Sequence, residues 1–348
     1  MMSGILTRVR LDRVNKNLLG ALISLMGIKI AHTFYKYDHV SKKPVLNATL
    51  LLPGKGCSWA KDKSGGCTMC GFKNALSSLG IDRIFNDDEI ARLFELGWSS
   101  LVKKQPRALN IYNGGSFFND EEISRRVQDM VIEKARGNID LEILLVESRP
   151  EYINPIRIQE ITARLKPKKL KIGIGLESVT DRVRNDYINK GMSKESYEGA
   201  IKTAKLSGAR ILTYVLIKPL YLSEKEAVEE AIKTARYAFD TGSDEVSFEA
   251  SCIQKGTRME ELYRQGKYRP PWLWSMIEVI RVAHVLGDIQ IGSFSDFPFP
   301  SAKPGNCGHC SAKVEKLLSR YRINHVLSIF ETIDCDCKNT WKELMKGD

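Results

Sequence analysis

The sequence predicts an α/β fold: a partial (β/α)6 barrel followed by a small C-terminal domain in which four cysteines bind a metal. Three observations carry this expectation. Between residues 45 and 255, short apolar runs alternate with amphipathic helical segments, the pattern of parallel strands covered by helices. The unusual motifs of this stretch fall just after its strands, where barrel folds build their chemistry. Four of the eight cysteines crowd together after residue 306.

The elements follow in order. Residues 1–44 are expected to form an N-terminal helical extension, in which Leu18–Ile28 is a charge-free run. A membrane span needs about 20 apolar residues, so this run reads as a short buried helix. Val45–Leu52 is a first strand ended by Pro53-Gly54, and Asp87–Leu96 an amphipathic helix. Ala108–Tyr112, Leu141–Val146, Leu170–Leu176, Ala209–Ile217 and Glu245–Ala250 are the next five strands. Asp120–Lys134, Pro155–Leu165, Thr180–Ile188, Lys194–Leu206 and Glu224–Thr241 are helices between them. Residues 45–255 thus form the partial barrel, and 256–348 a basic C-terminal region with its own metal site. A helix over Leu273–Leu286 and a strand near Ile289–Phe294 extend the sheet, and Pro298, Pro300 and Pro304 mark a linker.

The 348 residues carry a formal charge of +11, an excess that suits a polyanionic partner, nucleic acid first. The eight cysteines are clustered, no export signal is visible, and the chain reads as cytoplasmic. In a reducing compartment such thiols are metal ligands rather than disulfides.

Cys57, Cys67 and Cys70 lie in the loop after the first strand, spaced Cys-x9-Cys-x2-Cys. A structural zinc site wants four closed ligands, whereas a [4Fe-4S] cluster can take three thiolates and leave one iron open. His32 and His39 upstream keep a zinc site open as the alternative. Asn113-Gly114-Gly115-Ser116-Phe117 closes the second strand, where two glycines expose backbone to a ligand.

This combination resembles the radical S-adenosylmethionine (SAM) superfamily, in its Elongator-catalytic-subunit-like branch. The resemblance covers residues 45–255 and extends to Glu147-Ser148-Arg149-Pro150-Glu151-Tyr152-Ile153, Gly173-Ile174-Gly175-Leu176-Glu177-Ser178 and Asn189-Lys190-Gly191-Met192-Ser193. It implies that the three cysteines hold a [4Fe-4S] cluster whose open iron is chelated by SAM. It implies that Gly114, Gly115 and Ser116 receive the SAM amino group. Glu147, Glu177 and Ser178 would face its ribose or amino-acid portion, and Lys190 its carboxylate. Lys190 stands where the branch usually has Arg, and a lysine cannot form the bidentate fork. The bland alternative for Glu147 and Glu177 is a pair of solvated loop carboxylates.

Cys307, Cys310, Cys335 and Cys337 form Cys-x2-Cys…Cys-x-Cys, four ligands for a closed zinc site or for an auxiliary iron–sulfur cluster. His309 and His325 beside them read as surface or packing residues. Lys313, Lys316, Arg320 and Arg322 on a helix over Ala312–Tyr321 offer either an RNA-contacting surface or a solvated face. Arg264, Lys267, Tyr268 and Arg269 beside Trp272 and Trp274 suit phosphate contacts and base stacking, unless both tryptophans are core. Lys166, Lys168, Lys169 and Lys171 read as solubility or partner charges. Cys252 sits alone at the active end, as a buried inert thiol or a hydrogen donor.

The four-cysteine tail and Gly56-Cys57-Ser58-Trp59 together are similar to the radical SAM archaeosine synthases. The resemblance implies a lyase of tRNA modification, acting with a separate lysine-transferring archaeosine synthase subunit. That subunit attaches lysine to preQ0 in the tRNA D-loop; the radical enzyme cuts the lysine C–N bond and leaves archaeosine. An unidentified one-electron donor is implied as well. The alternatives are another radical SAM enzyme of the branch, acting on tRNA or a small molecule, and a zinc-dependent RNA-binding protein without catalysis.

Overall fold

The computed structural model describes residues 31–74, 85–294 and 297–347. Its centre is one eight-stranded sheet: β1 (Ala31–Asp38), β2 (Lys43–Leu51), β3 (Ala108–Tyr112), β4 (Ile143–Glu147), β5 (Lys169–Glu177), β6 (Arg210–Ile217), β7 (Glu245–Ala250) and β8 (Ile289–Ile291), paired in that order. The pairs from β2 onward are parallel, and β1 alone runs antiparallel, against β2. Helices α1 (Asp87–Val102), α2 (Arg125–Gly137), α3 (Pro155–Leu165), α4 (Lys194–Leu206) and α5 (Glu224–Thr241) are the crossovers. Then follow α6 (Arg258–Arg264), α7 (Leu273–Ala283), α8 (Ser311–Asn324) and α9 (Cys337–Lys346).

The helices start where the sequence supplies caps. Asn86 accepts from the backbone of Glu89 while the Glu89 carboxylate accepts from that of Asn86, a capping box that opens α1; Ser223 and Glu226 repeat it at α5. Strand side chains alternate between two very different surroundings. Ala48 and Leu50, Leu109 and Ile111, Leu144 and Val146, and Ile172 and Ile174 are buried on the side facing the helices, in one continuous core. Their neighbours Asn47, Thr49, Asn110, Glu147, Lys171, Glu177, Glu245, Ser247 and Glu249 line a cavity of about 820 Å³ on the other side. The sheet is therefore curled around a polar lumen.

One expected boundary is corrected. Residues 31–38 are not part of a helical extension but an edge strand, because pairing with β2 satisfies their backbone; Leu18–Ile28 lies outside the described residues. As expected, the strand near Ile289–Phe294 extends the sheet, as β8, and α7, α8 and α9 share one apolar cluster with Val215, Val246 and Phe248 of β6 and β7. Trp272 and Trp274 are buried in that cluster, which fits packing rather than base stacking; Arg269 covers the Trp272 ring at 4.4 Å.

The sheet edges approach one another at the N-terminal ends of the parallel strands. His39, just past β1, donates from Nε2 to the carbonyl of Ile289 at 2.9 Å, and its Nδ1 is 3.2 Å from Asp288. His325 at the end of α8 stacks on Tyr37 and Tyr321, at centroid distances of 4.7 and 4.5 Å. His39 and His325 are thus packing residues, and His309 is exposed. Lys171 is also reassigned: it points into the lumen and pairs with Glu245, both buried, because its strand position faces inward. Among the described residues no helix is long and apolar enough to cross a membrane.

Candidate active site

The loop after β2 carries Cys57, Cys67 and Cys70, and two neighbouring segments fix its shape. The first is the turn after β3. Glu122, buried, accepts from the backbone N–H of Ser58 at 2.8 Å, from that of Ser116, and from Asn119 Nδ2 at 3.0 Å. One carboxylate thereby ties the residue after Cys57 to the Gly-Gly-Ser turn. A side chain at Gly115 would begin 2.0 Å from Glu122 Oε2 and 3.1 Å from the Cys57 backbone, so only glycine permits this approach. Glu122 was not singled out from the sequence; the signal was an acid seven residues beyond Gly115.

The second segment follows the π-helical stretch Arg182–Tyr187. Thr68 donates its backbone N–H to Ile188 at 2.8 Å, Trp59 Nε1 donates to the Asn189 carbonyl at 2.8 Å, and Asn189 Nδ2 donates to the carbonyls of Ser64 and Gly66. Arg149 lies over the Trp59 ring at 5.1 Å and donates to the carbonyls of Lys190 and Gly191. Arg184, fully buried, donates to the carbonyls of Ser178, Val179 and Met192. The Asn189–Ser193 motif therefore clamps the cysteine loop through its backbone.

The acids sit on strands rather than on solvated loops. Glu147 ends β4, and burial pushes its carboxyl up to about 7. Glu177 ends β5 at φ 64°, and its Oε1 lies 2.7 Å from Lys190 Nζ. Burial opposes the Lys190 charge, but Glu177, then Cys67, outweighs it and holds the pKa above the usual lysine value. A side chain at Gly175 would begin 2.4 Å from both charged atoms of this pair, which is why β5 carries a glycine there. Ser178 departs from the expectation: its hydroxyl donates to Glu230 of α5, on the helix side of the sheet.

Burial raises the Cys67 thiol, and Cys70 to about 11, so both are disfavoured as free thiolates. Cys70, Glu147 and Glu177 line the lumen directly, whereas Gly114, Gly115 and Ser116 are placed beside Cys57. Cys252, half-buried, faces the same lumen.

The C-terminal cysteines differ. Cys307 and Cys335 sulfurs are 3.6 Å apart, Cys310 and Cys337 3.5 Å, Cys307 and Cys310 3.7 Å, and all four sulfurs lie within 4.8 Å of one another. Tetrahedral coordination with bonds of about 2.3 Å has edges of about 3.8 Å, so this group fits one ion. Backbone N–H groups of Cys310 and then His309 lower the Cys307 thiol to about 6. Trp274 Nε1 donates to Cys337 Sγ at 3.4 Å. Among the described residues no other group of three or more such donors lies within this spacing.

No protein-family model matches the chain. It is 33% identical over 315 residues to a Methanosarcina acetivorans protein named archaeosine synthase subunit beta, covering 89% of this chain and 88% of that one. A Thermococcus kodakarensis protein of the same name is 27% identical, with 89% and 95% covered. Among solved structures, the Methanocaldococcus infernus Elp3 with its N-terminus deleted aligns with a TM-score of 0.50 at 16% identity, covering 70% of this chain and 59% of that one. The chain thus spans less than two thirds of that neighbour, whose likeness bears on the fold. The curled sheet, the three-cysteine loop and an identity that spans nine-tenths of the chain lead to one assignment: the chain belongs to the archaeosine synthase subunit beta family.

Proposed function

We propose that this chain forms archaeosine in tRNA by cutting the C–N bond of a lysine adduct of preQ0, with a lysine-transferring partner subunit supplying the adduct. The observation that carries the reading is the juxtaposition of an open three-thiol loop with the mouth of a polar lumen, in a chain of this family. Cys57, Cys67 and Cys70 would hold a [4Fe-4S] cluster. Three thiols with no fourth cysteine in the loop fit a cluster that keeps one iron open. Cluster and SAM, when bound, supply a hydrogen-abstracting radical.

The protein's share is to bind, orient and exclude water. The turn at Gly114–Ser116, held open by Glu122, receives the SAM amino group. Lys190, kept charged by Glu177, faces the SAM carboxylate, and Glu147 the ribose. The lumen admits the lysine arm while the tRNA stays outside, where exposed Lys313, Lys316 and Arg320 of α8 offer phosphate contacts. Zinc occupies the C-terminal tetrahedron and fastens α8 and α9 to the sheet. The site serves a cytoplasmic enzyme with an external one-electron donor.

Anaerobically reconstituted protein, given SAM, a reductant, the partner subunit and tRNA carrying the adduct, is expected to yield 5′-deoxyadenosine and archaeosine, read by mass spectrometry. Deoxyadenosine without archaeosine would assign a different substrate; neither product would overturn the radical reading.

A further inference from the structure

The lumen holds charges that the site described above does not use. Lys36 of β1 and Arg322 of α8 both line it. Among the described residues neither has a carboxylate within ion-pair distance, and Arg322 Nε is buried with no hydrogen-bond partner. Arg322 enters from outside the sheet, across the Phe34 ring at 5.9 Å. Glu249 of β7 faces the same space, with Ser247 Oγ donating to its Oε1 at 2.7 Å. Lys36 and Arg322 act electrostatically on Glu249, though no direct bond joins them. Burial is the largest influence on both Lys36, lowered to about 8, and Glu249, raised to about 7, so each is a charge lacking its full complement.

Two cations and one carboxylate, close together yet unjoined in a cavity of about 820 Å³, describe a receptor for a group bearing both signs on neighbouring atoms. An α-amino acid end is such a group, with its ammonium and carboxylate on one carbon. We infer that Arg322 and Lys36 receive the α-carboxylate, and Glu249 the α-ammonium, of an amino-acid arm inserted into the barrel. The arm's length runs past Leu145 and Tyr214 toward Glu147 and Cys70 at the mouth. Arg322 gives the planar, two-pronged contact that a carboxylate prefers. This inference rests on the function proposed above for the nature of the arm, while the receptor itself stands on the placement of the three charges.

The test is equilibrium binding of Nε-acetimidoyl-L-lysine to the full chain, compared with the same amidine built on cadaverine, which lacks the carboxylate, and on 6-aminohexanoate, which lacks the α-amine. The lysine compound should bind at least about tenfold more tightly than either truncated form, the scale of one charge-assisted contact. Arg322→Gln should abolish the preference over the cadaverine compound and keep the preference over the aminohexanoate one; Glu249→Gln should do the reverse. A misfolded variant would lose both preferences, so the crossed pattern separates recognition from damage. No measurable binding, equal binding of the three compounds, or variants with unchanged preferences would overturn the receptor. Binding with the crossed pattern but no archaeosine from adduct-bearing tRNA would overturn the proposed reaction and leave the receptor standing.

Discussion

Two cysteine sites in one chain teach what donor spacing means. Cys57, Cys67 and Cys70 are strung along a loop that owes its shape to Glu122, Asn189 and Arg149, and Cys70 lines the cavity. Cys307, Cys310, Cys335 and Cys337 collapse to within 4.8 Å, at the ends of α8 and α9, and line no part of that cavity. A closed tetrahedron has no free position for a reactant, so it can only staple; three thiolates leave a coordination position open for chemistry. The contrast extends to the neighbours, which are charged and glycine-rich at the first site and apolar at the second.

The sharpest way to break this comparison is to delete one ligand from each site. Cys70→Ala should abolish deoxyadenosine formation and the visible iron–sulfur absorption, with the C-terminal metal content by mass spectrometry unchanged. If activity survives, the open site has been misassigned. Cys310→Ala should do the converse: the C-terminal metal is lost, the cluster absorption stays, and Tm falls by about 5–10 °C, on the scale of about 2–4 °C per kcal/mol for larger domains. Equal loss of cluster in both variants would erase the division of labour.

A smaller effect is expected from Glu122→Gln, which keeps the shape but weakens charge-assisted bonds to two backbone N–H groups. Such bonds are worth about 1.5–3 kcal/mol, so the KM for SAM should rise about tenfold with little change in C-terminal metal. An unchanged KM would detach Glu122 from the open site.

The smallest effect concerns pH. Burial raises Glu147 and Glu249 from 4.5 to about 7. Each therefore binds a proton more tightly when folded, and its contribution to stability is present at acid pH and fades as pH rises from 4.5 through 7. Solvent in the open lumen limits this to about 1 kcal/mol per group. Tm measured between pH 5 and 8 should fall less steeply in Glu249→Gln than in the native protein; equal slopes would mean that the lumen does not strain this carboxyl.

Much of this architecture was legible in order along the chain. The six central strands lie within a few residues of their expected ranges, because fully covered parallel strands read as short apolar runs between amphipathic helices. β1 was missed because its sequence, Ala31-His32-Thr33-Phe34-Tyr35-Lys36-Tyr37-Asp38, has neither an apolar run nor strict alternation; only its partner β2 makes it a strand. Lys171 and Arg322 were read as surface charge for a related reason. A charged residue is exposed by default, and whether its strand or helix turns inward to a polar lumen is a property of the curled sheet.

The sequence alone determined what is local: thiol number and spacing, the Gly-Gly turn, the capping boxes, and the strand–helix alternation, since each is written in residues a few positions apart. Tertiary structure alone decided that Glu122 braces Cys57, that Asn189 clamps the cysteine loop, and that Lys36, Glu249 and Arg322 share one cavity. Those residues are separated by 65 to 286 positions. Bringing them together is the work of sheet order and curl, which burial of the helix-facing side chains imposes on the whole chain at once.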